Sequence, residues 1–111
     1  MPRDDLVSIE AIIVEIRDAL DFTDGLTRKQ FMSDKKTRKS VAYSIQTIGE
    51  VTRRLSPEFT AAHPEVPWGE IIGMRNVIVH EYDVVNFFTV WSVVKTRLPE
   101  LEAALAPLLE Q

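Results

Sequence analysis

The chain contains no cysteine. Disulfides, thiolate nucleophiles and cysteine-held metals are excluded together, and the composition suits a reducing compartment. Of 111 residues only four are glycine and two are histidine. The glycines are scattered, so no glycine-rich loop is available to cradle a nucleotide's phosphates. No apolar run approaches the roughly 18 residues of a membrane span. The start, Met1-Pro2-Arg3-Asp4-Asp5, is acidic and lacks the apolar stretch of a signal peptide. These absences read as a soluble, cytoplasmic protein. Period-two alternation is also missing, which argues against strands. Neither a Ser-His-Asp arrangement nor a close pair of carboxylates can be argued from the sequence.

What the chain has instead is helical rhythm. Leu6, Ile9, Ile13, Ile16 and Leu20 step by three and four with acids between them, which predicts a first helix over about Asp5 to Phe22, ended by Thr23-Asp24-Gly25. Thr27 to Met32 reads as a short helix. Asp34 suits the N-cap of a long helix whose inward stripe is Val41, Ile45, Ile48, Thr52 and Leu55, with Lys35, Lys39, Glu50, Arg53 and Arg54 outside it. Gly49 in that helix would cost up to about 1 kcal/mol against alanine, so a close helix approach is expected there. Ser56-Pro57 stops the helix, residues 61–67 read as an irregular connection, and Pro67 organises the first turn of the next helix. Val84, Phe87, Trp91, Val94, Leu98, Leu101, Leu105 and Leu108 then carry an apolar stripe through Pro99, which predicts either two nearly collinear helices or one kinked helix. Together these elements predict a single all-α domain over residues 1–111, an antiparallel bundle of four or five helices.

Net charge is −4, but the charge is segregated. Residues 1–26 carry −5, residues 27–54 carry +6 and residues 55–111 carry −5. The middle third is a basic island of Arg28, Lys29, Lys35, Lys36, Arg38, Lys39, Arg53 and Arg54. Such an island either attracts phosphate locally or is a solvated helix face.

The segment from Gly73 to Tyr82 concentrates the chemistry. Trp68, Ile71, Ile72, Ile78 and Val79 follow helical spacing, and Arg75 stands where that stripe calls for an apolar residue. A charge there needs a carboxylate such as Glu50, a second chain, or a wet cleft. On a regular helix Arg75 and His80 would point about 140° apart. The β-branched run Val77-Ile78-Val79 and a new N-cap at Tyr82-Asp83 suggest that the helix loosens or ends near His80, letting the two converge; otherwise convergence requires a second copy of the chain. His80 suits either a structural hydrogen bond or proton transfer near neutral pH. Asn76 suits orienting a phosphate or capping a helix end, Tyr82 a half-buried aromatic closing the helix, and Trp68 and Trp91 core or interface anchors. His63, before a proline, is given no role. His80-Glu81-x-Asp83 lacks the spacing of a helical zinc site, so neither a metal nor another cofactor is expected.

At these residues the chain resembles the HepT-like toxins of the HEPN superfamily. Arg75-x4-His80-x-Tyr82 matches that family's Arg-x4-His-x-Tyr signature, and Ile48-Gly49-Glu50, Pro67-Trp68 and Met74-Arg75-Asn76 follow its pattern in the same order. The resemblance implies a HEPN-like helical bundle and a metal-independent endoribonuclease in which His80 is general acid or base and Arg75 holds the phosphate. It also implies a homodimer, a minimal nucleotidyltransferase antitoxin as partner, and Tyr82 as acceptor of AMP from that partner. Cleaving RNA through its own 2′-hydroxyl needs a base, an acid and positive charge, yet one chain offers a single candidate imidazole. A two-fold dimer would supply two in one cleft. The acidic net charge keeps a second reading in view: a non-catalytic helical adaptor that binds a nucleotide or a nucleotidyltransferase.

Overall fold

The computed structural model describes residues 3–79 and 85–110. The first helix, α1 (Arg3–Thr23), buries Ile9, Ile12, Ile13, Ile16 and Ala19 along one side. Its end is closed locally: the Thr23 hydroxyl donates to the Ala19 carbonyl at 3.1 Å, and Gly25 takes the positive φ of 77° that the following turn requires. Lys95, far along the chain, donates to the Thr23 carbonyl at 3.1 Å, placing a cation at the helix's negative end.

The short α2 (Arg28–Ser33) begins with a capping box in which Thr27 accepts from the Gln30 N–H at 3.1 Å and Gln30 accepts from the Thr27 N–H at 2.9 Å. It buries Phe31, whose ring lies 5.2 Å from Trp91 and 6.5 Å from Phe87. Asp34 caps α3 (Lys35–Arg53) by accepting from the Thr37 backbone N–H at 3.1 Å and its hydroxyl at 2.8 Å. Those bonds, the backbone one foremost, hold the Asp34 carboxyl below the usual carboxylate range. α3 packs against α1 on one flank and α5 on the other, and it buries the expected Val41, Ile45, Ile48 and Thr52.

Residues 57–62 form a short helix, α4 (Pro57–Ala62), where the sequence suggested a stop and, from residue 61, an irregular connection; Ala61 and Ala62 are helical instead. The reason is Ser56. Its hydroxyl accepts from the Phe59 N–H at 3.2 Å, and Pro57 fits the first helical position because its missing N–H would have had no partner there. The same hydroxyl donates to Asp5 at 2.6 Å and the Ser56 N–H donates to the other Asp5 oxygen at 2.9 Å. Asp5 is only 4% exposed, so this buried carboxylate ties the start of α1 to the α3–α4 corner.

α5 (Trp68–Val79) follows directly on Pro67, whose carbonyl accepts from Ile71 at 3.1 Å. Trp68 anchors the preceding connection by donating to the carbonyls of His63 at 2.9 Å and Thr60 at 3.2 Å. The next helix, α6 (Phe87–Ser92), is capped by Asn86, which accepts from Phe88 and Thr89 at 3.1 and 3.2 Å. Asp83, the cap anticipated from sequence, lies outside the described residues.

α6 passes without a break through a π-helical turn (Val93–Arg97) into α7 (Leu98–Leu105) and a closing 3₁₀ turn (Ala106–Glu110). Of the two arrangements anticipated around Pro99, this is the single helix. Pro99 has no N–H and its ring would crowd the carbonyl of Lys95 four residues back; the wider turn, with the Leu98 N–H reaching Val93, relieves both. Val90, Val94, Leu98, Leu101, Leu105 and Leu108 stay buried throughout.

Among the described residues there is no strand. The molecule is an all-α, HEPN-like antiparallel bundle whose long members are α1, α3, α5 and the α6–α7 rod, with α2 and α4 as short corner helices. No helix among the described residues is long and apolar enough to cross a membrane.

Candidate active site

The site is built where α5 crosses α3. Gly49, buried on α3, lets the Arg75 backbone come close: a Cβ on residue 49 would stand 2.5 Å from the Arg75 Cβ. The expected close approach is therefore the contact that seats Arg75. Its side chain is 17% exposed and runs beside Gly49 to Glu50, with Nε 3.5 Å from the carboxylate. That distance is at the long limit of a hydrogen bond, and Glu50 is 43% exposed, so the pair orients Arg75 more than it stabilises the fold.

Glu50 is in turn braced within α3, where Gln46 donates to its carboxylate and Arg54 to its backbone carbonyl, each at 3.5 Å. Glu50, Arg53, Arg54 and Arg75 line an open cleft of about 400 Å³. Three guanidiniums face one carboxylate there. The cleft is cationic in a chain that is acidic overall, and its donors suit a phosphodiester.

Asn76 is exposed one residue along α5, beside that cleft rather than in its wall. His80 and Tyr82 lie outside the described residues; the described part of α5 ends at Val79, the residue before the histidine. Arg53 and Arg54 belong to the basic island but were not singled out by sequence reasoning as site residues. The available signal was their spacing: three and four residues beyond Glu50, they share its helix face, so any partner of Glu50 becomes their neighbour.

Not all of the basic island is open to a ligand. Arg38 donates to the Met32 carbonyl and stacks 5.2 Å over Phe87, and Arg28 lies 5.5 Å over Phe88. His63 is buried at 6% exposure, ends α4, and packs 4.8 Å from Phe59 with its Nδ1 3.4 Å from Glu65. Among the described residues no group of three His, Asp or Glu side chains converges as metal ligands.

Residues 12–108 match the HepT-like family, described as Ribonuclease HepT-like. A protein of Methanocaldococcus jannaschii named "Putative RNase" is 34% identical over 100 residues, spanning 89% of this chain and 83% of its own length. Another of that name, from Caldanaerobacter subterraneus subsp. tengcongensis, is 32% identical over 103 residues, covering 93% and 92% respectively. A "Probable ribonuclease HepT" of Thermococcus cleftensis is 32% identical over 98 residues, covering 85% and 89%. No solved structure gives a significant match. With an all-α bundle, a guanidinium cleft at the α3–α5 crossing and a family match across most of its length, this chain belongs to the HepT-like ribonuclease family.

Proposed function

We propose that the chain is a metal-independent endoribonuclease, the toxin of a toxin–antitoxin pair, acting as a homodimer. The observation that carries this reading is the cleft of Arg75, Arg53, Arg54 and Glu50, whose Arg75 stands on the helix that leads directly to His80. Arg75 and its neighbours hold the scissile phosphate and offset the charge that builds on it. One His80 takes the proton from the 2′-hydroxyl as its oxygen attacks phosphorus; the His80 of the second copy gives a proton to the leaving 5′-oxygen. The products are a 2′,3′-cyclic phosphate and a free 5′-hydroxyl. Asn76, exposed on α5 beside the cleft, contacts an adjoining phosphate oxygen in this reading.

The partner in this reading is a minimal nucleotidyltransferase antitoxin that transfers AMP to Tyr82. The added phosphate and adenine occupy the cleft and repel RNA. The test is cleavage of a defined RNA with and without EDTA, followed by end-group analysis. Activity that survives EDTA, leaves cyclic phosphate ends and disappears in His80→Ala is the expected result. Dependence on a divalent metal, or full activity in His80→Ala, would overturn it. Co-expression with the partner and mass spectrometry tests the switch; an unmodified Tyr82 beside an active partner and ATP removes it.

The Arg75–Glu50 contact favours one further reading, a non-catalytic adaptor in which Arg75 is structural. Wild-type expression that leaves growth untouched, with no cleavage in vitro, would select it.

A further inference from the structure

The outward stripe of α3 extends well beyond the arginine cleft. On the solvent side of the helix, Lys36, Lys39, Tyr43, Glu50, Arg53 and Arg54 fall within one sector, and Tyr43 lies roughly 16 Å from Arg54 along the axis at 1.5 Å per residue. Tyr43 is 67% exposed, on a face where packing asks nothing of it. It lines a second cleft of about 460 Å³ with Phe22, itself 44% exposed, and with Glu15, Asp18, Lys39 and Ser40. The lining chemistry differs from that of the first cleft. Arginines dominate one; two aromatic rings and two carboxylates mark the other.

We propose that this second cleft is a base-binding subsite for single-stranded RNA, with Tyr43 as stacking platform and Asp18 and Glu15 as acceptors for an exocyclic amino group. It rests on the ribonuclease reading of the arginine cleft and extends it along α3. Aromatic rings stack any base, whereas carboxylates repel phosphate and accept from amino groups such as that of cytosine. The two clefts thus divide the strand's chemistry between them: phosphates lie on Arg53, Arg54 and Arg75, and a base several nucleotides away lies on Tyr43. Lys39, which also lines the second cleft, meets the phosphate of the stacked nucleotide. A base carrying an exocyclic amino group, adenine, cytosine or guanine, is preferred there over uracil.

The test uses full-length His80→Ala protein and end-labelled short oligo(A), oligo(C) and oligo(U), with binding read by fluorescence anisotropy across a salt series. In this background Tyr43→Ala is expected to weaken oligo(A) and oligo(C) binding about tenfold or more while leaving the salt slope unchanged, and Tyr43→Phe to bind like the parent. Asp18→Asn with Glu15→Gln is expected to shrink the preference over oligo(U). Binding by Tyr43→Ala within twofold of the parent for all three probes overturns the proposal. So does a change in sedimentation of Tyr43→Ala with RNA binding intact, which would make this face a protein interface. Cleavage by the His80-bearing chain is measured separately: Tyr43-dependent binding without cleavage sinks the nuclease reading and leaves the subsite, and cleavage with Tyr43-independent binding does the reverse.

Discussion

Gly49 and Arg75 occupy one another's space: the hydrogen that glycine carries in place of a side chain is what allows the Arg75 Cβ to lie against α3. Alanine ordinarily stabilises a helix interior by up to about 1 kcal/mol relative to glycine. At Gly49 the sign should reverse. Gly49→Ala is expected to lose about 1–3 kcal/mol in urea unfolding, because the 2.5 Å approach cannot survive and α5 must move outward. Ribonuclease activity should fall with it. A more stable, fully active Gly49→Ala would show that the close approach does not position Arg75.

Arg75 itself should matter far more to catalysis than to folding. Arg75→Ala is expected to lower kcat about 10²- to 10³-fold, the usual effect of deleting one donor to a developing oxyanion. Stability should change by less than about 1 kcal/mol, because the ion pair it gives up is long and its partner half-exposed. Glu50→Gln leaves the cleft with three guanidiniums and no carboxylate, so RNA should bind more tightly at low salt. Steady-state kinetics beside chemical denaturation separates the two effects. Equal losses in both would return Arg75 to a structural role.

Asp5 is expected to behave in the opposite way. Asp5→Ala removes the acceptor of both the Ser56 N–H and its hydroxyl in a partly buried corner and should cost about 1.5–3 kcal/mol, the range for hydrogen bonds to a charged group. Asp5→Asn keeps an acceptor for the backbone N–H and should cost less. Urea midpoints for the two variants check the order. If both are neutral, the corner holds without this tie.

Asp34 supplies a pH signature. Its folded pKa lies below the ordinary value, chiefly through the Thr37 backbone N–H, so the cap's contribution is complete above the ordinary carboxylate pKa of about 4 and fades as pH falls through the lowered value. Asp34→Ala should therefore be less stable than the parent at neutral pH, with the gap closing as the medium is acidified below about pH 4. Thermal unfolding over that range tests it. A gap that stays constant would mean that Asp34 contributes nothing as an anion.

Helical periodicity carried much of the fold into view. Ile9, Ile13 and Ile16, then Val41, Ile45 and Ile48, point inward as their spacing requires, because burying one stripe satisfies a helix's apolar demand whatever its neighbours are. Gly49 was legible for a different reason: a costly residue in a good helix needs a structural return. The α3–α4 corner was harder to see. Ser56-Pro57 carries both stop and start signals, and the partner that decides between them, Asp5, is 51 residues away. Arg53 and Arg54 were hidden in the same way: one-dimensional charge runs do not say which cations open into a cleft and which, like Arg38, lie against a ring. The rest of the Arg75 motif, His80 and Tyr82, falls outside the described residues.

The π-turn at Val93–Arg97 already takes up one residue more than an α-helical turn holds, and the α7 turns beyond it have no such slack. Deleting Glu100, past that turn, would leave nothing to absorb the missing residue. It would swing the final turns by about 100°, carrying Leu101, Leu105 and Leu108 out of the interior and toward water. Changes in length should therefore be tolerated better at the exposed residues 64–65 than in this rod, which keeps its register.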